Sequence, residues 1–299
     1  MKRRNFINPS LPDRIHTANP VKTGIAGKFQ MKFAPHIGMF KNHAGEDPID
    51  QIKFMADQGF TALEDNNLKR RDLSVQEAIG KTLDDLGMEM GVFVGGRPAG
   101  KEPTLVRKDD PSWQAFLDDI RDSVDAAKRV NATRMTTLCG QYDPGLAEGY
   151  QTANVIEVLK RASAILEPHN LVMVLEPLNF YNHPGLFLTR IPQAFLICKA
   201  VGSPSCKILF DMYHQQIEDG NLLPNIELSW DEIGYFQIGD NPGRKEPTTG
   251  EINYKNIFKY IHEKGFRGIL GMEHGNFYPG KEGELKLIEA YRSVDVEVD

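Results

Sequence analysis

From Met31 onward, short apolar runs alternate with longer stretches in which apolar residues return every three or four positions. The runs have the length and composition of β-strands, and the longer stretches read as amphipathic helices. Eight strands are expected, over residues 31–36, 61–64, 88–94, 135–138, 171–176, 207–211, 235–238 and 269–273. Residues 47–58 form a helical stripe through Ile49, Ile52, Phe54 and Met55, with Gly59 past its end. Ser74 and Glu77 have the spacing of a capping box, which predicts a helix from there to Leu86. Asp110-Pro111-Ser112 opens the next helix, whose buried stripe is Phe116, Ile120, Val124 and Ala127. Further helices are expected around Val155 to Ile165, over 191–201 and 253–264, and from about Glu284.

Strand and helix alternate without a composition break, which predicts a parallel sheet. Eight βα units over residues 30–295 match the size of a closed TIM (β/α)8 barrel. A doubly wound open sheet is the alternative, but no Gly-x-Gly-x-x-Gly follows the first strand. The expected organisation is a single barrel domain over 30–299 preceded by an N-terminal arm, residues 1–29. That arm is polar and broken by prolines. Its start, Lys2-Arg3-Arg4-Asn5-Phe6-Ile7, resembles a twin-arginine export motif, yet no apolar h-region follows. A cytoplasmic protein is therefore expected, with export left open.

Composition narrows the classes. The chain has 299 residues, 40% apolar and 25% charged, as in soluble proteins with a large core. Its net charge of −6 argues against a general nucleic-acid surface. No apolar run approaches the roughly 18 residues of a membrane helix. Cys139, Cys198 and Cys206 lack metal-ligand spacing and read as reduced packing residues.

In such a barrel, catalytic groups stand at the C-terminal ends of strands. The late strands end in Glu176, Asp211, Gln237 and Glu273, spaced by 35, 26 and 36 residues, each about one βα unit. Four oxygen-bearing side chains would thus converge on one side of the barrel mouth. Any one alone could be a turn residue or a helix cap. Three carboxylates together repel unless a cation sits between them, and an oxygen-only donor set suits Mg²⁺ or Mn²⁺. His214, three residues past Asp211, is a candidate substrate contact, and His36 at the end of the first strand is a weaker one. Arg244, in the polar loop after the seventh strand, could hold an anionic substrate group or pair with Asp240 or Glu246. His169, His262 and His274 read as structural.

Several segments carry a family resemblance. They are Leu175-Glu176-Pro177-Leu178-Asn179, Asp211-Met212-Tyr213-His214, the run from Gln237 through Arg244 to Gly250-Glu251-Ile252-Asn253-Tyr254, and Gly271-Met272-Glu273. In this order and spacing the chain resembles hydroxypyruvate isomerase, within the xylose-isomerase-like TIM barrels. The resemblance implies a divalent metal on Glu176, Asp211, Gln237 and Glu273, with Glu176 and Glu273 also the acid/base pair. It implies isomerisation of a small hydroxy-carbonyl compound or sugar, such as hydroxypyruvate and tartronate semialdehyde, through an enediolate. Sugar 3-epimerisation on the same site is the alternative, and a metal-dependent DNA endonuclease or a non-catalytic sugar-binding barrel are more distant ones. Self-association into a homo-oligomer is left open.

Overall fold

The computed structural model describes residues 27–96, 98, 102–108 and 110–297. The arm therefore lies outside the described residues, apart from Gly27, Lys28 and Phe29. Eight strands appear in the expected order: β1 (Lys32–Ala34), β2 (Ala62–Leu63), β3 (Glu89–Met90), β4 (Arg134–Thr137), β5 (Val172–Leu175), β6 (Cys206–Asp211), β7 (Ile233–Gln237) and β8 (Ile269–Gly271). The helices are α1 (Lys41–Ala44), α2 (Pro48–Asp57), α3 (Leu73–Leu86), α4 (Asp110–Val130), α5 (Glu148–Leu166), α6 (Ile191–Val201), α7 (Met212–Glu218), α8 (Leu222–Ser229), α9 (Tyr254–Glu263) and α10 (Gly280–Val294).

Six strands form a continuous parallel sheet in the order β1-β8-β7-β6-β5-β4, and β2 pairs with β3. Single parallel bridges join the two pieces, His36 to Glu64 and Val94 to Thr136. The ring of eight is thereby closed, which is the TIM barrel expected from the strand and helix alternation.

Local chemistry explains most boundaries. Asp47 caps α2 by accepting from the Ile49 amide, with Pro48 at the first helical position. Asn253 caps α9 through the Asn256 amide. The Ser74 cap is corrected: α3 starts at Leu73, with Asp72, two residues before Ser74, at the cap position and no side-chain cap bond. The Val75 and Gln76 amides bond to the Asp72 carbonyl instead, so Ser74 already lies inside the first turn. The packed core also reaches back to Phe29, which is buried against Phe60 and Phe33 and lies under the Arg292 guanidinium.

Strand periodicity places the chemistry. Ala34, Ala62, Val174, Leu209, Tyr235 and Ile269 form one buried cluster, separate from the Phe33, Phe210, Phe236 and Leu270 layer. Alternate strand residues face opposite sides, so the first set fills the barrel and the second meets the helices. Two residues further along each strand, the inward positions are His36, Glu64, Glu176, Asp211, Gln237 and Gly271, with Glu273 two beyond that. The polar mouth is the next layer above an apolar barrel floor.

Candidate active site

Glu176, Asp211 and Glu273 come together as expected. One carboxylate oxygen from each and a ring nitrogen of His214 all lie within 4.8 Å of one another. Asp211 divides its two oxygens between two tasks. Oδ1 caps α7, accepting from the Tyr213 amide at 2.7 Å and the His214 amide at 3.2 Å. Oδ2 faces the cluster, 3.5 Å from Arg244 Nη2 and 3.6 Å from His214 Nε2. The helix-cap role and the site role of this strand-end aspartate thus coexist.

Arg244 does not pair with Asp240 or Glu246. Its Nη2 donates to Glu273 Oε2 at 2.9 Å and its Nε to the Glu273 carbonyl at 3.2 Å, while its guanidinium stacks 5.0 Å from the Tyr213 ring centre. The loop that aims it is held by Asp240, whose carboxylate accepts from the Gly250 and Ile252 amides. Gly250 is required there, because a Cβ would fall 2.1 Å from the Asn241 carbonyl oxygen.

His214 is fully buried, and its Nδ1 faces the Asn179 backbone amide at 3.3 Å and the Asn179 side-chain amide at 2.6 Å. The Asn179 carbonyl oxygen is taken by the Asn182 amide, so its NH₂ points at the ring. Both ring nitrogens face donors, because Nε2 lies 3.2 Å from Arg244 Nη2; it is also 3.6 Å from Asp211 Oδ2. Burial lowers the His214 pKa to about 4, with Arg244 and His183 adding to the effect and Asp211 opposing it. The ring is neutral at neutral pH and stands beside the carboxylates within the same cluster.

The carboxylates are poorly solvated. Burial, then the charges of Asp211 and Glu64, lifts Glu273 to about 7 against the pull of Arg244 and His36. Burial also raises Glu176 well above the ordinary range, reinforced by Glu273 and Asp211. Gln237 is buried beside Asp211 in the β6–β7 register. Its Nε2 donates to Glu64 Oε1 at 2.7 Å, while its Oε1 is buried with no partner. The orphaned Gln237 oxygen, on the strand residue paired with Asp211, adds an oxygen donor to the three carboxylates and His214. These residues fit a hard divalent cation, whose charge would offset the raised carboxylates.

Two clefts meet here. One of about 670 Å³ is lined by Glu176, Leu178, His183 and His214, and the other, about 770 Å³, by His36, Asn42, Asn276 and Tyr278. Asn66, Asn67, Arg244 and Glu273 border both.

The sequence model of the xylose isomerase-like TIM barrel family matches residues 52–294. The chain belongs to that family. It is 33% identical to hydroxypyruvate isomerase of Escherichia coli over 60% of this chain and 69% of that protein. It is 34% identical to 2-oxo-tetronate isomerase of Cupriavidus necator over 81% of this chain and 92% of that protein. Among solved structures, a family 2 AP endonuclease from Brucella melitensis superposes with a TM-score of 0.75 at 25% identity, over 85% of this chain and 96% of that one. The E. coli 3-keto-D-glucoside 4-epimerase shares the fold at TM-score 0.73 and 16% identity, over 88% of this chain and 100% of that one. The chain is hydroxypyruvate isomerase-like, an enzyme whose sequence relatives are isomerases.

Several groups that serve this family member's mouth were missed in the sequence. Asn66 donates to Glu273 Oε1 at 2.8 Å, Asn179 orients His214, and Glu64 binds Gln237, His36 and Tyr235. The inward alternation Ala62–Glu64 was available as a signal, since it repeats Val174–Glu176 and Leu209–Asp211. His36 stands at the mouth as expected, but its Nε2 is held 2.9 Å from Glu64 Oε1. Burial lowers its pKa, yet the Glu64 charge and hydrogen bond, with Glu273 and Asp65, leave it raised overall. Among the described residues, no helix is long and apolar enough to cross a membrane.

Proposed function

We propose that this chain is a metal-dependent isomerase of a small hydroxy-carbonyl compound or sugar, working by proton transfer through an enediolate. The observation that carries the reading is the convergence of Glu176 and Glu273 on one cleft, both with pKa values lifted toward the range of a usable acid or base. The names of the sequence relatives support the substrate class.

Glu176, Asp211, Glu273 and the Gln237 carbonyl would hold Mg²⁺ or Mn²⁺. Such an ion, when bound, supplies Lewis-acid stabilisation of developing oxyanion charge. One glutamate removes the proton from the carbon beside the carbonyl, and the other returns a proton to the neighbouring carbon. His214 lines the substrate cleft beside Arg244 and helps to shape it around the substrate oxygens. Arg244, stiffened by Tyr213, faces a carboxylate or a charge-bearing oxygen of the substrate. The cleft continues past Glu273 into the lobe beside His36 and Asn276, which offers room for a substrate longer than three carbons and keeps 3-epimerisation as a second reading.

The test is a screen of hydroxypyruvate, 2-oxo-tetronates and small ketoses in D₂O, read by NMR after chelator dialysis and return of Mg²⁺, Mn²⁺, Co²⁺ or Zn²⁺ singly. Deuterium should enter at the carbon beside the carbonyl, and product should form with Mg²⁺ or Mn²⁺. Full activity in metal-free protein would sink the metal, and turnover without deuterium uptake would argue against proton exchange with solvent. Cleavage of an abasic-site duplex by the same preparation would favour the endonuclease reading.

A further inference from the structure

Glu64 is a buried carboxylate at the mouth, and the mechanism above does not use it. It directly follows β2, is 0% exposed, and is surrounded by three partners. Tyr235 Oη donates to Oε2 at 2.7 Å, Gln237 Nε2 donates to Oε1 at 2.7 Å, and His36 Nε2 lies 2.9 Å from Oε1. The space it fills exists because Gly271, the inward residue of β8, has no side chain: a Cβ there would sit 1.7 Å from Glu64 Oε2. Burying a carboxylate is costly, so a fold that makes room for one needs a return on it.

We propose that Glu64 is a positioning residue that sets which end of the Gln237 amide faces the Glu176–Asp211–Glu273 cluster. The inference rests on the metal-site reading and deepens it. A carboxylate with donors on both oxygens only accepts, so it draws the amide NH₂ toward itself. Because the amide is planar, Oε1 is turned to the other side, where it is buried and has no protein partner. Without Glu64, nothing described here distinguishes the two ends, and the flipped amide would present two N–H donors to a cation. Glu64 thereby makes Gln237 an oxygen donor, as a carboxylate behind a metal-bound imidazole fixes its tautomer.

The experiment compares Mn²⁺ binding to the intact protein and to Glu64→Gln, by the electron paramagnetic resonance of free Mn²⁺ and without turnover. Glutamine has the same shape but offers its neighbour either a donor or an acceptor. The expected result is a loss of about ten- to a hundredfold in affinity, the usual effect of removing such a supporting group. Affinity within twofold of the parent, in a variant with a parent-like melting temperature, overturns the role of Glu64 and leaves the metal reading standing. Absence of Mn²⁺ binding in the parent overturns both. If Glu64→Gln does not fold, side-chain amide exchange in the ¹⁵N-labelled parent decides: the Gln237 NH₂ protons should exchange slowly with and without Mg²⁺. Fast exchange, or loss of protection on adding Mg²⁺, overturns the assignment.

Discussion

Without a bound divalent cation, this protein's fold should be sensitive to alkali, in a direction set by the groups that hold protons inside. Glu273 is lifted from 4.5 to about 7 and Glu176 lies well above 4.5, both first through burial. The native chain then keeps protons that the unfolded chain has released, and stability falls as pH rises from the unfolded toward the folded value. His36, raised above 6.5, acts in the same direction above that pH. His214 and His274, lowered by burial to about 4 and about 3, act oppositely, adding stability as pH climbs toward 6.5. Below about pH 6.5 the two histidines and the two glutamates oppose each other, and the net slope is small. Above it only the destabilising set remains. Each proton retained costs about 1.4 kcal/mol per pH unit over the interval in which it is held. Glu273 keeps its proton to about pH 7, so half a unit above pH 6.5 gives about 0.7 kcal/mol, roughly 1–3 °C in Tm, and Glu176 and His36 add in the same direction. The assay is thermal or urea unfolding in chelator from about pH 5.5 to 8.5, repeated with saturating Mg²⁺. Cation binding favours ionised carboxylates, so Mg²⁺ should flatten the alkaline fall. A metal-free profile that is flat or rising above pH 6.5, or an equal fall with Mg²⁺, would refute the reasoning.

Other consequences are equally direct. Glu176→Gln and Glu273→Gln should each lose about 10²–10⁴-fold in kcat while staying folded, measured by steady-state kinetics on the substrate found in the screen. Gly271→Ala should drive Glu64 from its place, destabilising the protein by about 1–3 kcal/mol in urea titration and weakening Mn²⁺ binding with it. Phe29→Ala should cost about 3–5 kcal/mol by the same titration, because that ring is packed between Phe33, Phe60 and Arg292. Arg244→Lys should raise KM more than it lowers kcat, since the ammonium keeps the charge but loses the planar donors that face substrate and Glu273.

The amino-acid sequence alone determined the barrel and one half of its mouth. Alternation with a period of two, then about 3.6, is local physics, and eight repeats of it leave few ways to bury the apolar faces. Because side chains alternate along a strand, Val174 to Glu176 and Leu209 to Asp211 could be placed at the barrel end from the chain itself. Helix starts were placed at Asp47 and Asn253, which the structure shows to be side-chain caps, and the one cap read directly, Ser74, was misread, because the backbone of Asp72 does that work. The tertiary structure alone decided what lies between distant strands. Glu64 and Gln237 are separated by 173 residues, and Arg244 meets Glu273 rather than its neighbours Asp240 and Glu246. Such pairings depend on barrel closure and on space left by Gly271, and neither leaves a periodic trace in the chain. Protonation belongs to the same class, because burial dominates the shifts of Glu176, Glu273 and His214, and burial belongs to the packed whole rather than to any segment.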